Sequence, residues 1–324
     1  MVSVENEQVI IDVDHLTKNY GHNRGVFDVS IKVHKGECYG YLGPNGAGKS
    51  TTIRHIMGFC KPEKGSVKIF GVDCFGNNDE MLKKVGFLPS ESNLPACANG
   101  WELIYMMQDL RGERNQERLK YLLQFFKVDP NQEIKGMSVG CRRQLAVVVA
   151  FMNDPEVLIL DEPTSGLDPV MQEKFIQFIL EEKKRGKTIL LSSHVFSEVD
   201  AVCDTISIIK DGVHVSTFNS SDFKNGEKQI CAVCFFSEES FNKYLNKKKS
   251  VKILSQDLNN LKMTVEFARN NSKEFFESLS GVAVKEIEEV PFSLQDYFMS
   301  FYKEEKNFDG LNGVISQVAV TEGE

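Results

Sequence analysis

No apolar run in this 324-residue chain approaches the ~20 residues that a membrane-spanning helix requires. The longest candidate, Leu145 to Leu160, is cut by Asn153, Asp154, Pro155 and Glu156. The opening stretch MVSVENEQVI has neither the basic cluster nor the apolar centre of a secretory signal. Basic residues are in deficit, with 38 Lys+Arg against 46 Asp+Glu and a formal net charge of -8. A sequence-blind nucleic-acid binder shows the opposite balance, so no nucleic-acid partner is expected. Eight cysteines are scattered along the chain, and only Cys231 and Cys234 form a C-x-x-C pair. They have no second pair or histidine at zinc-ligand spacing, so ordinary reduced thiols are the expectation. There is no internal repeat and no low-complexity tract. Together these absences point to a cytosolic protein, with docking on a membrane protein left open.

What is present is enough apolar material, 41% of residues, to bury a sizeable core. The length suggests one large domain with a smaller one beside it. VFDVSIKV (Val26 to Val33) alternates as a half-buried strand does, and SVKIFG and VGFLP read as further strands. A helical block follows, in which GWELIYMMQDLRG, ERLKYLLQFFKV and VGCRRQLAVVVAFM carry apolar residues three and four apart. VLIL and TILLSS are short continuous apolar runs suited to central parallel strands, with the helix-like QEKFIQFILEEKKR between them. This succession predicts an α/β core. Beyond Ser220 the order becomes β-α-β-β-α-β, which suits a small ferredoxin-like α+β unit over residues 221–306. SLQDYFMSFY reads as a last helix with Ser293 as N-cap, and 307–324 as a frayed tail.

The stretch GPNGAGKST carries the chemistry. Gly43, Gly48, Lys49 and Ser50 fill G-x-x-x-x-G-K-[ST] between an apolar strand, CYGYL, and a helix-like segment. Glycines let the backbone turn its N–H groups inward, and the positive end of the following helix adds to them, so Gly43, Asn45, Gly46, Ala47, Gly48 and Thr51 form a phosphate cradle. Lys49 reaches the β- and γ-phosphates and the Ser50 hydroxyl suits Mg²⁺. The plainer alternative is a glycine-rich turn with a solvated lysine. VLILDEP places Asp161 and Glu162 at the carboxyl end of a buried strand, where open α/β sheets bind ligands. Asp161 fits a metal-holding role, and Glu162 is free to take a proton from water.

With these motifs in order, residues 8 to 218 resemble the ATP-binding subunit of an ABC transporter. The resemblance rests on GPNGAGKST, on MSVGCRRQ at the place of the family signature, on LILDEPTSGLDP, and on SSH at the switch histidine. It implies a P-loop ATPase core with an antiparallel β subdomain and a helical signature subdomain. It also implies ATP and Mg²⁺ as ligands, a second ATP-binding subunit, a polytopic permease as partner, and a place on the inner face of the cell membrane. Tyr20 stands where the family stacks an aromatic on adenine. Ser138 and Gly140 stand where it contacts the γ-phosphate of the opposite subunit's ATP. Asp168 falls in the loop that crosses between subunits, and His194 where a histidine holds the attacking water near Glu162. Simpler readings are a strand-end tyrosine, a plain helix cap at Ser138 and an exposed loop histidine. The extension after residue 220, and VVVAFMNDPEVLILDEPTSGLDPVMQEKF, resemble bacitracin- and lantibiotic-resistance export ATPases most closely.

Two departures stand out. Val139 and Cys141 replace the first glycine and the glutamine that usually flank the signature glycine. Where many relatives end the VGFLP strand with a glutamine that reaches Mg²⁺, this chain has Ser90 followed by Glu91. Ser90 is too short to copy that reach, so a bridging water at Ser90 or a contribution from Glu91 stays open. Two other functions stay open beside the exporter motor: a soluble ABC ATPase of translation or repair, and a nucleotide-dependent regulatory module without catalysis.

Overall fold

The computed structural model describes residues 8–290, apart from 23, 77, 92–93, 96, 113, 221–227 and 248–250. The expected last helix from Ser293 and the tail from 307 lie outside these residues. The chain divides into two compact units, Met1–Ser220 and Ser221–Glu324.

In the first unit an antiparallel sheet forms from β1 (Val9–Asn19), β2 (Gly25–His34), β4 (Lys64–Ile69) and β5 (Val72–Asp73), in the order β2-β1-β4-β5. Cross-strand partners such as Val13 with Ile31 and Val67 keep one face apolar and buried. The second sheet has the order β10-β9-β3-β8-β7-β6. Its strands are β3 (Cys38–Leu42), β6 (Val85–Leu88), β7 (Val157–Asp161), β8 (Thr188–Ser193), β9 (Thr205–Lys210) and β10 (Val213–Asn219). Every residue of β3, β7 and β8 is buried, as expected of parallel strands covered on both faces. The five strands from β9 to β6 run parallel, and β10 pairs antiparallel with β9.

Parallel register decides where the site forms. Leu42 lies opposite Ser193, Asp161 opposite Ser192, and Leu88 opposite Leu160. The carboxyl ends of β3, β6, β7 and β8 therefore share one edge. From β3 the chain runs through the glycine loop into α1 (Lys49–Ile56). The helices α2 (Asp79–Lys83), α3 (Gly100–Arg111), α4 (Gln116–Phe125), α5 (Val139–Phe151), α6 (Pro169–Lys184) and α7 (Phe196–Val202) complete the unit. Asn99, Asn115, Ser138 and Asp168 cap α3, α4, α5 and α6 with their side-chain oxygens, satisfying N–H groups that a helix start leaves open. Phe126, Phe151 and Phe178 pack edge to face, with centroids 5.0–5.1 Å apart, beneath α4, α5 and α6.

The second unit holds β11 (Lys228–Phe235), α8 (Glu238–Leu245), β12 (Lys252–Asp257), β13 (Lys262–Ala268), α9 (Ser272–Ser278) and β14 (Val284–Val290). Its antiparallel sheet has the order β12-β13-β11-β14, the ferredoxin-like arrangement. Val233, Phe235, Phe241, Val265 and Phe275 are at the centre of its core. Side chains alternate along β11, so Cys231 faces that core while Cys234 points to the other side of the sheet. The pair cannot close one metal site, and the cysteines among the described residues are free.

Candidate nucleotide site

The glycine loop has the backbone its sequence demands. Gly46 and Gly48 sit at φ 84° and 107°, left-handed values that side-chain-bearing residues rarely adopt. At Gly43 the constraint is space, since a Cβ would come 2.4 Å from the Ile209 carbonyl. The loop is pinned from outside by the Gly212 N–H, which donates to the Ala47 carbonyl at 2.9 Å. Gly48 precedes α1, whose first turn carries Lys49, Ser50 and Thr51 at the positive end of the helix dipole.

Lys49 is buried. Its Nζ donates to the carbonyls of Gly43 at 2.6 Å and Pro44 at 3.0 Å, and stands 3.0 Å from Glu162 Oε1. The other oxygen of Glu162 lies 2.7 Å from His194 Nδ1. Glu162 thus bridges an ammonium and an imidazole at the strand edge. Its φ of 47° is left-handed, a conformation that costs on the order of 1–2 kcal/mol for such a residue. Both of its backbone groups are committed: the N–H donates to the Ser192 carbonyl, and the carbonyl accepts from Arg143 Nη2 at 2.6 Å. Asp161 is buried beside it, with Oδ1 accepting from Ser192 Oγ at 2.5 Å. Glu198, at the start of α7, accepts from Thr164 Oγ1 at 2.5 Å and Ser193 Oγ at 2.9 Å. That carboxylate joins the segment after β7 to the one before His194.

A cleft of about 670 Å³ opens over the loop. Of the residues singled out in the sequence it gathers Tyr20, Asn45, Gly46, Gly48, Lys49, Ser50, Thr51, Ser90 and Glu162. It adds Arg24, Arg54 and the Asp211–Gly212 turn, which no sequence motif marked. Lys49, Arg24 and Arg54 give the cleft a cationic lining suited to phosphates. Tyr20 is half exposed, at 52%, and so offers a ring face to a ligand. Gly43 and Ala47 shape the loop from behind. Glu91 lies outside the cleft and lines a neighbouring groove with Val139, Arg142 and Gly166.

Ser138, Gly140 and Asp168 are not part of the cleft. Ser138 Oγ accepts from the Cys141 N–H at 3.1 Å, and Asp168 Oδ1 accepts from the N–H groups of Val170 and Met171 at 3.0 Å. Ser138 and Asp168 are exposed, and Val139 lies over Gly166, where a Cβ would come within 3.0 Å of its Cγ1. No group of three or more His, Cys, Asp or Glu among the described residues is placed to hold a metal by itself. The hard oxygen donors near the loop are the Ser50 hydroxyl, which lines the cleft, and the Asp161 carboxylate, buried at the carboxyl end of β7 beside Glu162. That set fits Mg²⁺ bound together with substrate phosphates.

Comparison with known proteins agrees with this geometry. The ABC transporter family model matches residues 26–165. The bacitracin transport ATP-binding protein BcrA of Bacillus licheniformis is 34% identical over 206 residues, covering 63% of this chain and 67% of that protein. The chain belongs to the ABC transporter family. BcrA of Enterococcus faecalis is 28% identical over 304 residues, 90% of this chain and 96% of its own length. The Nod factor export ATP-binding protein I of Ralstonia nicotianae is 33% identical over 208 residues, 63% of this chain and 65% of that protein. Among solved ABC structures, an ATP-binding subunit of an ABC transporter superposes with a TM-score of 0.61 at 26% identity, covering 67% of this chain and 92% of that one.

Proposed function

We propose that this chain is the ATP-hydrolysing motor subunit of a membrane exporter, acting as a cassette dimer on separate permease subunits. The observation that carries the reading is the Lys49–Glu162–His194 array beneath a glycine phosphate loop. Lys49 neutralises the β- and γ-phosphates, and the loop N–H groups and α1 dipole bind the remaining charge. Ser50 and Asp161 would hold Mg²⁺, which supplies charge neutralisation at the transferring phosphoryl group. Glu162 accepts the proton of the attacking water, and His194, against Glu162 Oε2, holds that water in place. Tyr20 stacks on the base at the mouth of the cleft. The exposed Ser138 and Asp168, with the half-buried Gly140, act toward a second cassette, so each nucleotide is completed by both copies.

No helix among the described residues is long and apolar enough to cross a membrane, which fits a subunit held at the cytoplasmic face by its permease. Relatives named for bacitracin and Nod factor suggest a drug, peptide or lipid-like cargo. Ser90 lines the cleft and Glu91 does not, which favours Ser90, through water, as the contact toward the metal. The test is Mg-ATP-dependent phosphate release by the purified chain, alone and with its permease. Release that Lys49→Ala abolishes supports the proposal. No nucleotide affinity in either preparation would refute it, and release with ribosomes but not with membranes would favour the soluble alternative.

A further inference from the structure

We propose that Arg143 is a positioning residue that aims Glu162 at the reacting water. The inference rests on the functional reading above. Arg143 lies in the second turn of α5 and is fully buried, yet no carboxylate forms an ion pair with it among the described residues. Its guanidinium instead reads backbone. Nε donates to the Pro163 carbonyl at 2.9 Å, and Nη2 to those of Asp161 at 3.1 Å and Glu162 at 2.6 Å. Nη1 donates to the Pro89 carbonyl and reaches that of Ser90 at 3.5 Å. The planar five-donor fork of arginine can serve such a set, whereas the single ammonium of lysine cannot.

These five carbonyls belong to two segments, the turn after β7 and the loop after β6. One side chain therefore joins both segments to the helix that starts at Ser138. The turn is where alignment is hardest to keep, because Glu162 holds a left-handed backbone there. With its N–H committed to Ser192 and its carbonyl to Arg143, the Cα–Cβ direction of Glu162 is fixed from both sides. That direction places Oε1 toward Lys49 and Oε2 toward His194. Burial lowers the guanidinium to about 10, so it stays charged at neutral pH, helped by the nearby Asp161 and Glu162 carboxylates. Without Arg143 the turn keeps its residues but loses the group that holds three successive carbonyls to one side.

Arg143→Gln and Arg143→Lys test this in the full chain assembled with its permease, with nucleotide affinity, kcat, thermal midpoint and ATP-dependent dimer formation measured together. The expected result is a kcat fall on the order of 10²-fold with little change in nucleotide Kd, since misplacing a reacting group costs turnover rather than binding. The variants should also accumulate ATP-bound dimers, as Glu162→Gln should, a signature that general loosening of the fold does not produce. Adding Arg143→Gln to Glu162→Gln should lower kcat little further, because both act through one group. A folded variant with wild-type kcat would overturn the proposal. So would a fall in kcat matched by lost nucleotide affinity, with no dimer accumulation. If Arg143→Gln precipitates, Arg143→Lys, which keeps the charge, decides the matter by the same criteria. Absence of hydrolysis by the wild-type complex would instead sink the functional reading.

Discussion

Lys49 Nζ stands 3.0 Å from Glu162 Oε1, so the proposed phosphate-binding cation and the candidate base form an ion pair. A γ-phosphate competes with Glu162 for the same ammonium. Neutralising Glu162 removes that competitor and the proton acceptor in one step. Glu162→Gln should therefore bind Mg-ATP at least as well as the wild type while kcat falls ~10²–10⁴-fold. Phosphate release against equilibrium nucleotide binding measures both. Undiminished turnover would remove Glu162 from the mechanism.

Glu198 predicts a subtler loss. Its buried carboxylate receives Thr164 Oγ1 and Ser193 Oγ, and Ser193 Oγ also accepts from the Val195 N–H at 2.9 Å. His194 lies between the two residues so anchored. Glu198→Ala leaves two hydroxyls without their acceptor, so stability should fall by about 1–3 kcal/mol. Turnover should fall more than nucleotide affinity, because His194 and not Lys49 loses its support. Urea unfolding paired with steady-state kinetics checks this. An equal loss in kcat and affinity would contradict it.

Tyr20 tests the base end of the cleft. Its exposed ring makes little core contact, so Tyr20→Ala should leave the fold intact. Stacking on a base is worth ~1–3 kcal/mol, so nucleotide Kd should rise roughly 5- to 150-fold, with Tyr20→Trp restoring binding. Unchanged affinity in Tyr20→Ala would return this residue to the strand-end role.

The glycine loop was legible because its geometry constrains residue type: Gly46 and Gly48 need left-handed backbone, and Lys49 and Ser50 follow them at the start of α1. The strands that bear the site were legible because VLIL and TILLSS are unbroken apolar runs, and the β-α-β-β-α-β order after Ser220 foretold the second sheet. Arg143 was not, because its partners are carbonyls, which every residue carries and no sequence pattern marks. β1 escaped for another reason. Its register shifts around His15, which sits at φ 51°, break the alternation that reveals a strand. Arg24, Arg54 and the Asp211–Gly212 turn reach the cleft from segments far apart in sequence, joined only by the fold.

Glu182 carries a stability prediction. It is buried at the end of α6, pairs with Arg118 of α4 at 2.6 Å, and accepts from Arg185 at 2.9 Å. Arg118 is itself mostly buried, with its guanidinium over the Phe178 ring. Glu182→Ala leaves that charge unmatched and should cost ~3–5 kcal/mol. Replacing Arg118 and Glu182 together with Met and Leu should recover most of it, since a packed apolar pair often equals a buried ion pair. Denaturant midpoints of the single and double variants decide whether charge imbalance or lost packing dominates.

Asp154 sets a pH window. Burial pushes its carboxyl up, but hydrogen bonds and charge from Arg185 and Lys187 outweigh that and hold it below the ordinary 3.8. Arg185 Nη2 and Lys187 Nζ both stand 2.8 Å from it, tying the turn before β7 to the end of α6. A carboxyl lowered by folding stabilises the native state above its unfolded value, and that contribution is lost as pH falls through the folded one. Arg185 is partly exposed, so the network is worth about 1 kcal/mol or less. Asp154→Asn should therefore lower the thermal midpoint by a constant small amount from pH 7 down to about 4. Below that the two curves should converge as the wild-type carboxyl takes up its proton. A gap that persists unchanged at pH 2 would assign the loss to packing instead of charge.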